Sequence, residues 1–226
     1  VSTLQAYFEG RKDLFKGLAI EKMEQEWEVY PVIHIDMSRG KYYQLKNLHA
    51  ILNGILSNYE DLYHVGTLSE NSDVYSERLA NIIAAACQQT GKQVVVLIDE
   101  YDAPMHDSMN DEKLQNQIRN VLRDFFSPLK QQDANLRFVF ITGISKFSQL
   151  SIFSELNNLK ILTMKNEYTT VCGFTEEEIL KKYTEDIEAF AEAHGAPLVI
   201  KADGLALGKG VLICQSEQEA ADGVKE

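Results

Sequence analysis

VVVLIDEYDAP, residues 94–104, is the stretch from which the fold can be read. Five apolar residues, four of them β-branched, run without interruption into Asp99, Glu100 and Asp102. A run with no polar alternation suits a strand covered on both faces, which puts it at the centre of a sheet rather than at its rim. Such a strand delivers the acids at its end to one edge of the sheet, and the rest of the chain must say what they meet there.

Reading outward, apolar runs and breakers alternate. VYPVIHID (29–36) reads as a strand, and QLKNLHAILNGILSNYEDLY (44–63) has the apolar spacing of an amphipathic helix. After the loop GTLSENSD, residues 72–91 form a second helical pattern, with Ser72 or Asp73 as its cap and Gly91 as its stop. Beyond the central strand come a helix over 111–132 and another apolar strand, LRFVFITG (136–143). Strands separated by helices of this length pair in parallel through crossovers, and open sheets of that kind bind ligands at the carboxyl ends of their strands. Asp99, Glu100, Asp102, Thr142, Ser145 and Lys146 would all gather on that edge. NLKILTM (158–164) reads as a short strand, and residues 174–195 read as a helix opened by a capping box from Thr175 to Glu178. After Gly195 the pattern turns to strand, glycine-rich loop and return strand, which places a boundary between about 180 and 195.

Composition narrows the function. Thirty-four acids against 22 bases give a net charge of −12, which disfavours an extended nucleic-acid surface on these residues. No apolar run approaches the roughly 20 residues a membrane helix needs, and the N-terminus lacks a signal peptide's pattern, so a cytoplasmic location without membrane contact is expected. Cys87, Cys172 and Cys214 are dispersed, as are the five histidines, and they suggest neither a disulfide framework nor a metal cage. The chain opens at Val1 within a helical pattern, STLQAYFEGRKDLFKG, which fits the interior of a longer protein.

A hydrophobic strand ending in Asp-Glu is the Walker B arrangement of P-loop ATPases. Asp99 would hold the shell of a Mg²⁺ ion and Glu100 would orient the attacking water, because Mg²⁺ takes one or two carboxylates together with phosphate oxygens and waters. The strand at 136–143 would present Thr142, Ser145 and Lys146 beside the phosphates, as a sensor strand does.

LFKGLAIEK, YPVIHIDMS, VVVLIDEYDAPM, LRFVFITGISKFSQLSIFSELNNL and VCGFTEEE, in this order, resemble the AAA-ATPase-like family of bacterial P-loop ATPases over about residues 2–182. Many of its members carry a restriction-endonuclease-like domain downstream. The resemblance implies an ATPase core with ATP and Mg²⁺ as cofactors, Asp99 and Glu100 as the Walker B pair, and possible DNA or protein partners through further domains. In that family a GxxxxGK[ST] loop precedes the STLQAYFEG helix, and these residues contain no such loop. The strand that carries it lies beside the sensor strand, so a sheet without it is expected to show a gap or an exposed edge there. Hydrolysis of ATP by these residues alone is not expected.

PLVIKADGLALGKGVLIC (197–214) carries a second nucleotide signal. No Ser or Thr follows Lys209, so it is not a P-loop. A strand ending in Lys201 with a glycine loop behind it suits another task, in which loop amides fold over phosphates while the lysine neutralises them. The stretch closely resembles the ATP-grasp domain of the glycinamide ribonucleotide synthetase (phosphoribosylamine–glycine ligase) family. That resemblance implies Lys201 as a phosphate ligand, and Gly204, Gly208, Lys209 and Gly210 as parts of a phosphate-covering loop. The expectation is therefore an α/β chain with a P-loop-NTPase-like, mostly parallel sheet and crossover helices over 1–182, lacking the Walker A strand, followed by an ATP-grasp-like β-hairpin fragment over 183–226. An ATPase core is the first functional reading, an ATP-dependent ligase of purine synthesis the second, and an inactive chimera the third.

Overall fold

The computed structural model describes residues 1–66, 74–144, 152, 159–162, 165, 168, 189, 193, 198–201, 211–216 and 219. The chain divides into two compact units, Val1–Leu159 and Lys160–Glu226. The family resemblances place the change near 182, and the sequence grammar places it between 180 and 195.

The N-terminal stretch is broken into short pieces. Helix α1 (Ser2–Phe8) ends just before Gly10, whose φ of +70° suits glycine alone at little cost. A 3-10 helix (Lys12–Phe15) and helix α2 (Ala19–Met23) follow, in place of the continuous helix that STLQAYFEGRKDLFKG suggests. Strand β1 (Val32–Asp36) then leads to α3 (Leu45–Leu62), α4 (Tyr75–Thr90) and strand β2 (Val94–Asp99). Helices α5 (Ala103–Asp107), α6 (Glu112–Phe126) and α7 (Pro128–Gln131) precede strand β3 (Leu136–Ile141). The helix expected over 111–132 is thus divided at Ser127, because Pro128 has no N–H to give and takes the first position of a new turn. Helix α4 stops at Gly91 in the left-handed conformation (φ 66°), as its sequence suggests. Its N-cap is Val74, which makes no side-chain cap bond, while Ser72 and Asp73 lie outside the described residues.

The sheet of the first unit is parallel, in the order β1-β2-β3, with β2 in the middle. That is the position its unbroken apolar run requires, and Val94–Ile98 are completely buried. One face carries Ile33, Ile35, Val96, Ile98, Val139 and Ile141, in register across the strands. Buried residues at helical spacing on α3 (Leu48, Leu52, Ile55, Leu56), α4 (Leu79, Ile82, Ile83, Ala86) and α6 (Ile118, Leu122, Phe125, Phe126) complete this core. Each fully buried Leu or Ile of this set contributes about 2 kcal/mol relative to exposure. The opposite face carries Val95, Leu97, Phe138 and Phe140, and Phe8 of α1 lies with its ring 5.3 Å from that of Phe138.

At the outer rim of β1 the phenol of Tyr59 accepts the His34 amide at 2.6 Å and donates to the His34 carbonyl at 3.1 Å. These are the backbone groups an edge strand would otherwise leave unpaired. Strand β3 has β2 as its one partner among the described residues; Arg137 is exposed and its other residues are only partly buried.

In the second unit β4 (Leu198–Lys201) pairs antiparallel with β5 (Val211–Cys214), Leu198 opposite Cys214 and Lys201 opposite Val211. Residues 159–162 form no strand, which corrects the reading of NLKILTM (158–164), whose residues 158, 163 and 164 lie outside the described residues; Leu159 instead packs against the hydrophobic core of the first unit. The helix expected over 174–195 lies almost wholly outside the described residues.

Candidate functional site

The carboxyl edge of the parallel sheet gathers Asp36, Asp99 and Thr142. Asp36 and Asp99 are register partners at the ends of β1 and β2, so their side chains rise from the same face. Thr142 continues that row one residue past β3: its amide donates to the Ile98 carbonyl at 2.9 Å, and its hydroxyl donates to Asp99 Oδ1. The same hydroxyl accepts the Glu100 amide at 3.2 Å. Asp99 Oδ2 and the Glu100 carboxylate accept no hydrogen bond from a described residue, so both acids present free oxygens at this edge.

Glu100 has φ of +48°, in the left-handed region that a non-glycine residue adopts at a cost of about 1 kcal/mol or more. Three bonds hold it there: its amide to Thr142 Oγ1, the Tyr101 amide to the Thr142 carbonyl at 3.1 Å, and the Ala103 amide to the Glu100 carbonyl at 2.9 Å. The turn ends β2 sharply and separates the direction of Glu100 from that of Asp99.

Asp102 reaches the same edge but presents no exposed carboxylate there. It is fully buried, with Oδ1 accepting the Ile144 amide at 2.8 Å and Oδ2 lying 3.5 Å from His106 Nε2. That nitrogen is itself buried and makes no hydrogen bond, since the contact is an ion-pair distance without hydrogen-bond geometry. The helix α5 that follows turns the Asp102 side chain inward, a consequence of local backbone geometry that the spacing of three acids does not disclose.

Asp36 is the site residue that sequence reasoning missed. Burial acts to raise its pKa, but hydrogen bonds from the Ser38 hydroxyl (2.6 Å) and amide (2.9 Å) and from Arg39 Nε (3.0 Å) outweigh it and hold the carboxyl below its ordinary value. The signal lay in VIHID, an apolar strand that also ends in an acid, read earlier only as a strand. One step below on the same face, His34 is pushed down by burial, against the raising influence of Asp36 and Asp99, and stays neutral at neutral pH.

The oxygen-only character of Asp36, Asp99 and Thr142 suits a hard cation such as Mg²⁺, which needs few protein ligands; among the described residues no group of three His, Cys, Asp or Glu side chains forms a closed metal cage. Ser145, Lys146, Gly204, Gly208, Lys209 and Gly210 lie outside the described residues, and Lys201 is described as the last residue of β4. Among the described residues no helix is long and apolar enough to cross a membrane.

A family model described as predicted AAA-ATPase matches residues 1–153, and one described as the ATP-grasp (A) domain of phosphoribosylglycinamide synthetase matches residues 166–226. An uncharacterized protein in the vnfD 5′ region of Azotobacter chroococcum is 33% identical over 180 residues, covering 79% of this chain and 34% of that protein. A phosphoribosylamine–glycine ligase of Streptococcus pneumoniae is 50% identical over 42 residues, 19% of this chain and 10% of the ligase. The corresponding ligase of Streptococcus suis is 48% identical over the same length. The chain thus spans about a third of the first relative and about a tenth of the ligases. No solved structure matches it.

Proposed function

We propose, because this chain belongs to the predicted AAA-ATPase family, that its first unit is the nucleotide-handling core of a cytoplasmic ATPase. The observation that carries this reading is the Asp99–Thr142 pair across two neighbouring strand ends, with Glu100 beside it and two acids left with free oxygens. Asp99 Oδ2 would hold Mg²⁺, which when bound supplies charge neutralisation at the nucleotide phosphates. Thr142 fixes the rotamer of Asp99 by occupying Oδ1. Glu100, turned away from the strand by its left-handed backbone, accepts a proton from water or orients it. The covered sheet below, Val95–Ile98, excludes solvent from one side of these groups and strengthens their electrostatics. DNA or protein partners would act through domains beyond these residues.

The test is equilibrium binding of a fluorescent ATP analogue with and without Mg²⁺. Asp99→Asn is expected to abolish the Mg²⁺-dependent part, weakening affinity at least about tenfold, or ~1.4 kcal/mol. Binding unchanged by Asp99→Asn refutes the assignment.

A second reading is favoured by the match over residues 166–226 and the 42-residue identity with phosphoribosylamine–glycine ligases. In it Lys201, at the end of β4, neutralises nucleotide phosphates as in an ATP-grasp ligase. Lys201→Ala in the same assay separates the two: loss there, with Asp99→Asn silent, moves the nucleotide to the second unit.

A further inference from the structure

We infer that Asp102 is a positioning residue: its buried carboxyl fixes the backbone where the chain leaves β3, and through that backbone the Thr142 hydroxyl that engages Asp99. The inference rests on the reading of Asp99, Glu100 and Thr142 as a nucleotide site.

Four backbone amides tie the exits of β2 and β3 together beyond the last ladder pair. Thr142 donates to the Ile98 carbonyl, Glu100 to Thr142 Oγ1, Tyr101 to the Thr142 carbonyl, and Ile144 to Asp102 Oδ1. Two of these acceptors are side-chain oxygens, Thr142 Oγ1 and Asp102 Oδ1, and of the two residues only Asp102 is fully buried. Ile144 is 60% exposed, so burial of its side chain does not account for order at this point. Asp102, by contrast, has no exposed surface, and its carbonyl accepts the amides of Met105 (2.9 Å) and His106 (3.1 Å) at the start of α5. The approach of the two segments is close enough that a Cβ on Gly143 would stand 2.9 Å from Asp102 Oδ1 and 2.4 Å from the Tyr101 ring. A carboxyl taken fully out of water is costly unless it is hydrogen-bonded, and here that bond is directed at the loop next to the free acids. The three residues Thr142–Ile144 are therefore held at both ends, and the hydroxyl on Thr142 is aimed by the pair of anchors rather than by β3 alone.

The experiment is residue-resolved amide hydrogen exchange, combined with Mg²⁺–ATP-analogue binding, on the full chain. In the wild type the Ile144 amide should exchange at least about 100-fold more slowly than an unstructured amide, although its side chain is exposed. Asp102→Ala should accelerate Ile144 exchange about tenfold or more while the Val96 and Leu97 amides keep their rates, and should weaken analogue binding about three- to tenfold. Asp102→Asn keeps an oxygen acceptor and should hold Ile144 within about threefold of wild type. The wild-type and Asp102→Asn measurements stand on their own if Asp102→Ala does not fold. An unprotected Ile144 in the wild type overturns the proposal. So does Asp102→Ala accelerating β2 as much as Ile144, or releasing Ile144 with no change in binding by a wild type that binds. A wild type that binds no analogue refutes the nucleotide site instead, and the exchange of Ile144 then decides the anchoring on its own.

Discussion

Replacing Gly143 with alanine places one methyl group where the exits of β2 and β3 meet. The new Cβ would stand 2.4 Å from Tyr101 Cε1, 2.9 Å from its Cδ1 and 2.9 Å from Asp102 Oδ1. Carbon atoms in contact sit about 3.5–4 Å apart, so ring or loop must yield by about 1 Å. The Tyr101 ring cannot swing aside, since it is completely buried. Overpacking of this kind costs about 1–3 kcal/mol. Taking about 2 kcal/mol, and about 2–4 °C per kcal/mol for a chain of this size, the melting temperature should fall by about 4–8 °C. The single tryptophan, Trp27, lies in the first unit, so its fluorescence during a thermal or urea titration reports that unit alone. Gly54 supplies the control: it is an exposed position inside α3 with nothing within 4 Å of a Cβ, and alanine there should stabilise by about 0.5–1 kcal/mol. If Gly143→Ala melts within about 1 °C of wild type, well inside the range expected for overpacking, the close approach of the two loops is wrong.

Arg78 and Glu60 form a two-pronged ion pair between α4 and α3, Nε to Oε1 at 2.6 Å and Nη2 to Oε2 at 2.7 Å, with Glu60 only 6% exposed. Arg78→Ala leaves that carboxylate buried without its main partner and should cost about 3 kcal/mol in urea titration, whereas Arg78→Ala with Glu60→Gln should recover part of the loss. Asp36 has a folded pKa below its unfolded one, so its contribution is present above the unfolded value near pH 4 and is lost as pH falls through the folded value. Stability profiles from pH 2 to 7 should therefore show a shallower acid decline for Asp36→Asn than for wild type, and parallel profiles would contradict the depressed pKa.

The parallel arrangement was legible because Val94–Ile98 has no polar alternation, and burial of all five residues at the sheet centre is what that pattern means physically. The pairing of Asp99 with Thr142 was legible as a shared edge, though the hydrogen bond itself was not. Asp36 was invisible as a site residue because register between β1 and β2 is a tertiary property: only pairing of Val32 with Val95 brings Asp36 opposite Asp99. Asp102 lies near the expected edge, but its burial was not legible, since spacing along a sequence fixes direction only while the chain stays extended, and the left-handed turn at Glu100 ends that. The helix expected over 111–132 ran past its true break at Ser127 because apolar spacing continues through Pro128 and Leu129, both buried, although the backbone bond there is lost.

The phenol of Tyr59 gives the sheet a handed capacity for extension. An incoming strand on the β1 flank would first have to evict a hydroxyl already bonded to both main-chain groups of His34. On the β3 flank the described residues set no such obstacle. Among the described residues, then, one margin of the sheet is sealed and the other, adjoining Thr142, carries no such seal.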